Sequence, residues 1–298
     1  MGRYKGIILA VLALVFAVAA SASAERTADF EKLLAWYKAH YDFTEPDDSI
    51  YTFEGEYGLP EGFHVPDSSE MSGFSLWVQN FPIWHQWKAV GQWDGGKAFE
   101  FNQVSRVVHL PWTGSSFTDR AIPVRILGEY LRYTHHQFDM TIIPPAGKSL
   151  SYRDWLSGKP AYNSHMELFL KPGDKRDSSD AEYYQYLTFV MSGITYHSLP
   201  ENCDPISADE IMPGDLYLAY DTTADSGQVY VVMHVVQNDR GDKRYIVATG
   251  CRKACDFYIP IVNPNRDDPW VTTEDIASLN AGHQVSGFFR LRLIENRK

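Results

Sequence analysis

The amino-acid sequence predicts an α+β fold, with helices packed on a mainly antiparallel sheet. Helical patterns cluster early in the chain and strand patterns late, which argues against alternating βαβ units. The stretch 212–236, MPGDLYLAYDTTADSGQVYVVMHVV, reads as two neighbouring strands joined by a polar loop. No internal repeat, low-complexity tract or sharp composition shift divides the chain, so residues 25–298 are expected to form a single domain.

Residues 1–24 read as a cleaved signal peptide. Arg3 and Lys5 precede an apolar run from Ile7 to Ala20, and Ala22-Ser23-Ala24 has the small-x-small pattern of a cleavage site. The run is too short to span a bilayer comfortably. The expectation is an exported protein, periplasmic or extracellular, cleaved near Ala24, with no membrane insertion afterwards.

The signal takes 2 of the 27 Lys and Arg residues, leaving 25 against 38 Asp and Glu, a formal charge of −13. Such a balance disfavours nucleic acid and anionic membranes as partners, since both need concentrated cations. With 8 Trp and 18 Tyr the chain is rich in aromatics. The commoner cause is an aromatic core with wet edges; the rarer one is a set of sugar-stacking platforms.

Residues 29–40 form an expected amphipathic helix, with Phe30, Leu33, Leu34, Trp36 and Tyr37 on one side. Residues 45–49 break it, and Ser68-Ser69-Glu70 starts a second, with Phe74, Leu76, Trp77 and Phe81 inward and Pro82 as its end. A turn at 93–97 precedes a strand over 104–110, which Arg106 and His109 interrupt. After a loop from Pro111 to Ser116, Thr118 or Asp119 caps a longer helix whose Pro123 falls in the first turn. On it Arg125 and Glu129 stand four apart, and His135-His136 complements the dipole at its end.

A strand over 138–143, closed by Pro144-Pro145, is followed by a short helix at 154–156 that ends at Gly158 and Pro160. The polar segment 171–180 reads as a surface loop. A helix starting near Asp180 ends with Gly193 at C′. Beyond 212–236 come the 238–241 turn, a strand at 245–249, a capping box at Thr272 and Asp275, and a closing strand at 285–294.

The sequence contains 3 cysteines. In one extended strand Cys251 and Cys255 would lie about 13 Å apart, beyond disulfide reach. With Arg252-Lys253-Ala254 as a hairpin turn they face each other, so a structural disulfide is expected. Cys203 falls in a loop after Pro200.

No Gly-x-Ser-x-Gly elbow, His-Glu-x-x-His, phosphate loop or dinucleotide fingerprint is present, so no cofactor and no metal is expected. The order of elements resembles the NlpC-type papain-like cell-wall hydrolases. There a Cys at a helix N-terminus precedes a Pro-Gly-Asp turn into a strand, and a Gly-His starts the next strand. This chain has a helix near 180–182, Pro213-Gly214-Asp215 and Gly227-Gln228, with Ala181 near the thiol position and Gln228 at the imidazole position.

A closer resemblance, over about residues 70–275, is to the domain of unknown function 4846 family of exported bacterial proteins. It is carried by Phe74-Ser75-Leu76-Trp77, Asn80-Phe81-Pro82-Ile83, Asp94-Gly95, Arg125-x-x-x-Glu129-Tyr130-Leu131, Ser198-Leu199, Pro213-Gly214-Asp215, Asn263-Pro264 and Pro269-Trp270. The resemblance implies a Gly-His where this chain has Gly227-Gln228, an Asp at His234, and a Cys at Asp119.

The reading that follows is a non-catalytic envelope-associated or ligand-binding module, with a cell-wall or glycan ligand. An exposed groove between the long helix and the sheet would use Arg125, Glu129 and Tyr130. The competing reading is an envelope hydrolase acting on peptidoglycan or glycan, with His234 or His109 as base and Asp215 and Cys203 as further candidates. Alternation places Tyr230 and Val232 on the face of His234.

Overall fold

An antiparallel sheet of eight strands organises the described residues. In chain order these are β1 (Phe63–His64), β2 (Val104–Val107), β3 (Cys203–Ile206), β4 (Leu216–Tyr220), β5 (Gly227–Asn238), β6 (Lys243–Thr249), β7 (Tyr258–Pro260) and β8 (Val285–Leu291). The spatial order is β3-β8-β4-β5-β6-β7-β2, with β1 on the far end of β5, and every pair is antiparallel. The computed structural model describes residues 28–41, 50–110, 114–144, 148–159, 161–162, 168–170, 173–279 and 282–292. The signal segment with Ala24, the 45–49 breaker, Pro111, Pro145, Pro160, Lys171 and Ile294 lie outside them.

Seven helices accompany the sheet in these residues: α1 (Ala28–His40), α2 (Phe53–Tyr57), α3 (Gly73–Gln79), α4 (Ile122–Tyr133), α5 (Tyr152–Leu156), α6 (Asp180–Gly193) and α7 (Thr273–Ser278). None is long and apolar enough to cross a membrane. The fold is α+β, as expected. Leu33 and Tyr37 of α1, Phe74 and Trp77 of α3, Leu127 of α4 and Leu187 of α6 share one core with Leu216, Leu218, Val229 and Val231 of the sheet. The intervening residues Tyr217, Ala219, Tyr230 and Val232 pack on the other face with Ile211 and with Ile276 of α7. Burial on both faces explains why β4 and β5 read as near-continuous apolar runs.

Several boundaries differ from the sequence reading. Ser68–Glu70 is a separate 3-10 turn, and α3 starts after Ser72, whose hydroxyl accepts from the Ser75 amide. Gly193 is the last helical residue of α6, and the extended Ile194 follows it, so no left-handed C′ forms there. The 138–143 strand shrinks to Thr141–Ile142 behind a 3-10 turn at Gln137–Asp139. At the end of α4, His135 takes the left-handed conformation (φ 59°). Its amide reaches Arg132 O and that of His136 reaches Leu131 O, the pairing of a Schellman cap. The Thr272–Asp275 capping box forms in both directions.

Pro213-Gly214-Asp215 makes a type II turn: Asp215 N–H bonds Met212 O at 3.1 Å, and Gly214 has φ 93°. The turn docks on β5, with Gly214 N–H on Val232 O at 2.7 Å and Val232 N–H on Asp215 O at 2.8 Å. Cys251 and Cys255 lie at disulfide distance with Cα atoms 5.6 Å apart. The loop that holds them is wider than a tight hairpin, since the β6–β7 pairing is made by Thr249 and Tyr258. Cys203 is in edge strand β3 and not in a loop.

Candidate functional site

The start of α4 meets the start of β5 and the end of β6, and this junction gathers buried and half-buried polar groups at two of the positions singled out in the sequence, Asp119 and Gln228. Thr118 precedes a 3-10 turn, Asp119–Ala121, that runs into α4; its side chain makes no cap bond, and its carbonyl accepts from Ala121. Asp119 N–H is tied to Cys251 O at 3.1 Å. Gly250 permits this approach. A Cβ there would stand 2.5 Å from Ile122 Cδ1 and 3.3 Å from Asp119 Cα.

Asp119 is 1% exposed, and the Tyr196 hydroxyl donates to its carboxylate at 2.8–2.9 Å. Burial raises its pKa above the ordinary aspartate value, while the Tyr196 hydrogen bond and the neighbouring Arg120 oppose that rise. Beside it Gln228 Nε2 donates to Thr249 Oγ1 at 2.5 Å, and that hydroxyl donates onward to Val229 O at 2.6 Å. Asp225 closes the rim, pairing with Arg120 at 3.2 Å and accepting the Tyr196 N–H at 3.1 Å. The cluster thus holds a carboxylate, a phenol, an amide and a hydroxyl, each engaged. Its hydrogen bonds join these groups to one another, and it lacks a thiol–imidazole pair.

Asp119→Asn tests the electrostatics. The raised pKa means that the wild-type site favours the protonated acid, so its stability contribution is full below the ordinary aspartate range and is lost as pH rises through the raised value. The asparagine variant should match wild type in acid and become progressively more stable than it as pH climbs. Thermal unfolding across pH measures the difference, and a constant offset would refute a titrating Asp119.

The other candidate residues lie elsewhere. Arg125 and Glu129 are 4% and 0% exposed and pair at 2.6 Å. Tyr184 donates to Glu129 at 3.1 Å, Tyr41 bonds Tyr184 at 2.7 Å, and Arg132 joins Tyr184 to Asp180. In place of an exposed groove, the ion pair belongs to a buried network between α1, α4 and α6. Half-buried Tyr130 packs edge-on against Phe74 at 5.2 Å.

His234 does not share the face of Tyr230 and Val232. The β5–β6 register shifts between Val232 and His234, because Met233 is an extra residue in the ladder; His234 pairs with Ile246, on the helix-covered side. It is 1% exposed, lies against Phe53 and Trp270, and bonds Glu54 Oε1 through Nε2 at 3.3 Å. That hydrogen bond holds the Glu54 carboxyl below its usual range, against partial burial.

His109 stacks near Trp84 at 4.8 Å and borders a cavity of about 150 Å³ that includes Lys88 and Asp256. Burial pulls its pKa down to about 4, so it is neutral at pH 7. Asp215 is 2% exposed, caps the Met212 N–H at 2.8 Å and takes two bonds from Arg290 at 2.7 and 2.8 Å. Burial pushes the Cys203 thiol up to about 12, and its S–H donates to Leu199 O at 3.3 Å. Cys203 lies opposite Leu291 of β8, Asp215 precedes β4 on the other side of β8 and is bonded to Arg290, and His234 is bonded to Glu54, so none of these hydrogen bonds joins one candidate to another.

Sequence reasoning missed Tyr196, Thr249 and Gly250. The signal for Gly250 was its place directly before Cys251 at the end of a strand pattern; nothing local marks Tyr196 as a partner of Asp119.

A helix-covered antiparallel sheet with a polar junction at the start of its central helix defines an α+β domain class. The family described as Domain of unknown function (4846) matches residues 53–284, and the chain belongs to that family. The match extends past 70–275 at both ends, taking in α2 and the segment leading into β8. No curated protein and no solved structure matches the chain.

Proposed function

We propose that this protein is an exported, envelope-associated binding module of papain-like outline that performs no catalysis. The observation that carries the reading is the Asp119–Tyr196 and Gln228–Thr249 pairing. The positions at which the family resemblance implies a thiol and an imidazole hold a carboxylic acid and an amide, and both are consumed by internal hydrogen bonds. A thiolate mechanism needs a base within hydrogen-bond reach of an activated thiol. Here the free thiol is Cys203, buried on an edge strand with its pKa pushed up to about 12. Export is supported by the Arg3-to-Ala24 pattern and by the Cys251–Cys255 pair, which suits an oxidising compartment. The ligand class is a cell-wall or glycan component.

Purified mature protein incubated with isolated peptidoglycan should release no soluble fragments. The Asp119→Cys, Gln228→His double variant should carry a thiol that alkylates faster at neutral pH than the Asp119→Cys single variant. Fragment release by wild type would overturn the reading, and equal alkylation rates would remove the papain-like placement.

A second reading, an envelope hydrolase, draws on one observation: Glu54, with a side chain 46% exposed, orients His234 as a carboxylate orients a general base. His234→Ala abolishing fragment release would select it.

A further inference from the structure

Trp87 and Phe101 are 53% and 46% exposed, and their rings stack with centroids 6.3 Å apart and planes within 12°. Single exposed apolar side chains need no explanation, but two large exposed rings in near-parallel contact do. Guanidinium groups support them. The Arg266 guanidinium lies 4.2 Å from the Trp87 ring and is itself anchored by Phe101 O at 2.9 Å and Val104 O at 3.1 Å. Arg106 stands 5.9 Å from the same ring, held by Glu56 at 2.6 Å and by Asp267 at 3.3 Å. Glu56, with a side chain 2% exposed, also takes His85 at 2.6 Å, and His85 stacks on Tyr51 at 4.3 Å. The exposed Trp87 ring therefore lies against two guanidinium groups that are themselves bonded to the protein.

We infer that Trp87 and Phe101 form a carbohydrate-binding platform for a glycan strand. A pyranose ring offers a flat C–H face to an aromatic surface and hydroxyls at its edge. The rim here supplies matching groups: Asp267, with a side chain 54% exposed, and Glu100 and Gln103 flanking Phe101 in its turn. Rings already packed against each other and against a guanidinium lose less conformational freedom on contact than isolated ones, which favours weak, extended ligands such as polysaccharides. An anionic polymer fits poorly, because the chain carries a net charge of −11 and Arg106 is already neutralised by Glu56 and Asp267. The platform stands apart from the Asp119 junction and does not rest on whether that junction is catalytic.

The test is titration of the mature protein with chito-oligosaccharide and with cello-oligosaccharide, read by calorimetry and tryptophan fluorescence. Wild type should bind at least one of them saturably. Trp87→Ala and Phe101→Ala should each weaken binding about tenfold or more, the change expected for one lost stacking contact. Trp93→Ala, at another exposed ring (48%), should leave affinity unchanged. Unaltered thermal unfolding of the variants separates lost contact from lost fold. No saturable binding of either sugar by wild type overturns the inference, as does equal affinity in Trp87→Ala. Binding of a proline-rich peptide that depends on Trp87, with no sugar binding, would assign the patch to peptide and overturn it as well.

Discussion

Glu129→Ala is expected to destabilise the protein by about 3–5 kcal/mol, because it strands a buried guanidinium. Arg125 and Glu129 are 4% and 0% exposed, so water cannot take over the lost partner. Burial lowers the pKa of Arg125, while Glu129, Tyr41 and Tyr184 raise it; the net direction is upward, so its charge persists at every working pH. A double replacement, Arg125→Met with Glu129→Leu, removes both charges and keeps the volume. It should cost far less than the single change, since desolvation opposes the pair as strongly as attraction favours it. Urea denaturation of the three variants decides the matter. A double variant as unstable as Glu129→Ala would mean that the surrounding Tyr41–Tyr184–Arg132 hydrogen bonds depend on the pair.

Gly214→Ala should be nearly as damaging. At φ 93° an alanine sits in a region that costs an L-residue roughly 1–2 kcal/mol. Its Cβ would also stand 2.3 Å from Phe74 Cε1, and displacing that buried ring adds about 1–3 kcal/mol of overpacking. The turn cannot easily yield, because its amide and carbonyl groups are bonded to Val232 on β5. Phe74→Leu in the Gly214→Ala background should recover part of the loss, giving a coupling energy in a double-mutant cycle. Independent, additive effects would show that strain in the turn alone sets the cost.

The sequence announced the features whose causes are local. Pro213-Gly214 specifies its turn, Thr272 and Asp275 specify their cap, and the apolar runs of β4 and β5 specify central strands, as each lies within a few residues of its cause. Cys203 misled, because a four-residue edge strand containing Pro205 carries little pattern and exists only through its pairing with β8. The face of His234 was misjudged because a bulge breaks period-2 counting and leaves no mark in one strand alone. Arg125 and Glu129 looked like a surface helix pair, since four-residue spacing is identical in and out of water. Their burial comes from α1 and α6, distant in sequence. The Asp119 junction likewise needed tertiary contact: its phenol partner lies 77 positions away.

The place of β8 has a consequence for the order of folding. This strand, the last described in the chain, lies between β3 and β4, which precede it by many residues and do not pair with each other. Neither the Cys203–Ile206 strand nor the free side of β4 has a hydrogen-bonding partner until residues 285–291 arrive. Loop closure over that distance must precede any reward, which makes the step slow. A nascent or partly threaded chain therefore keeps an open seam through its sheet, and the final strand closes it like the last tooth of a zip.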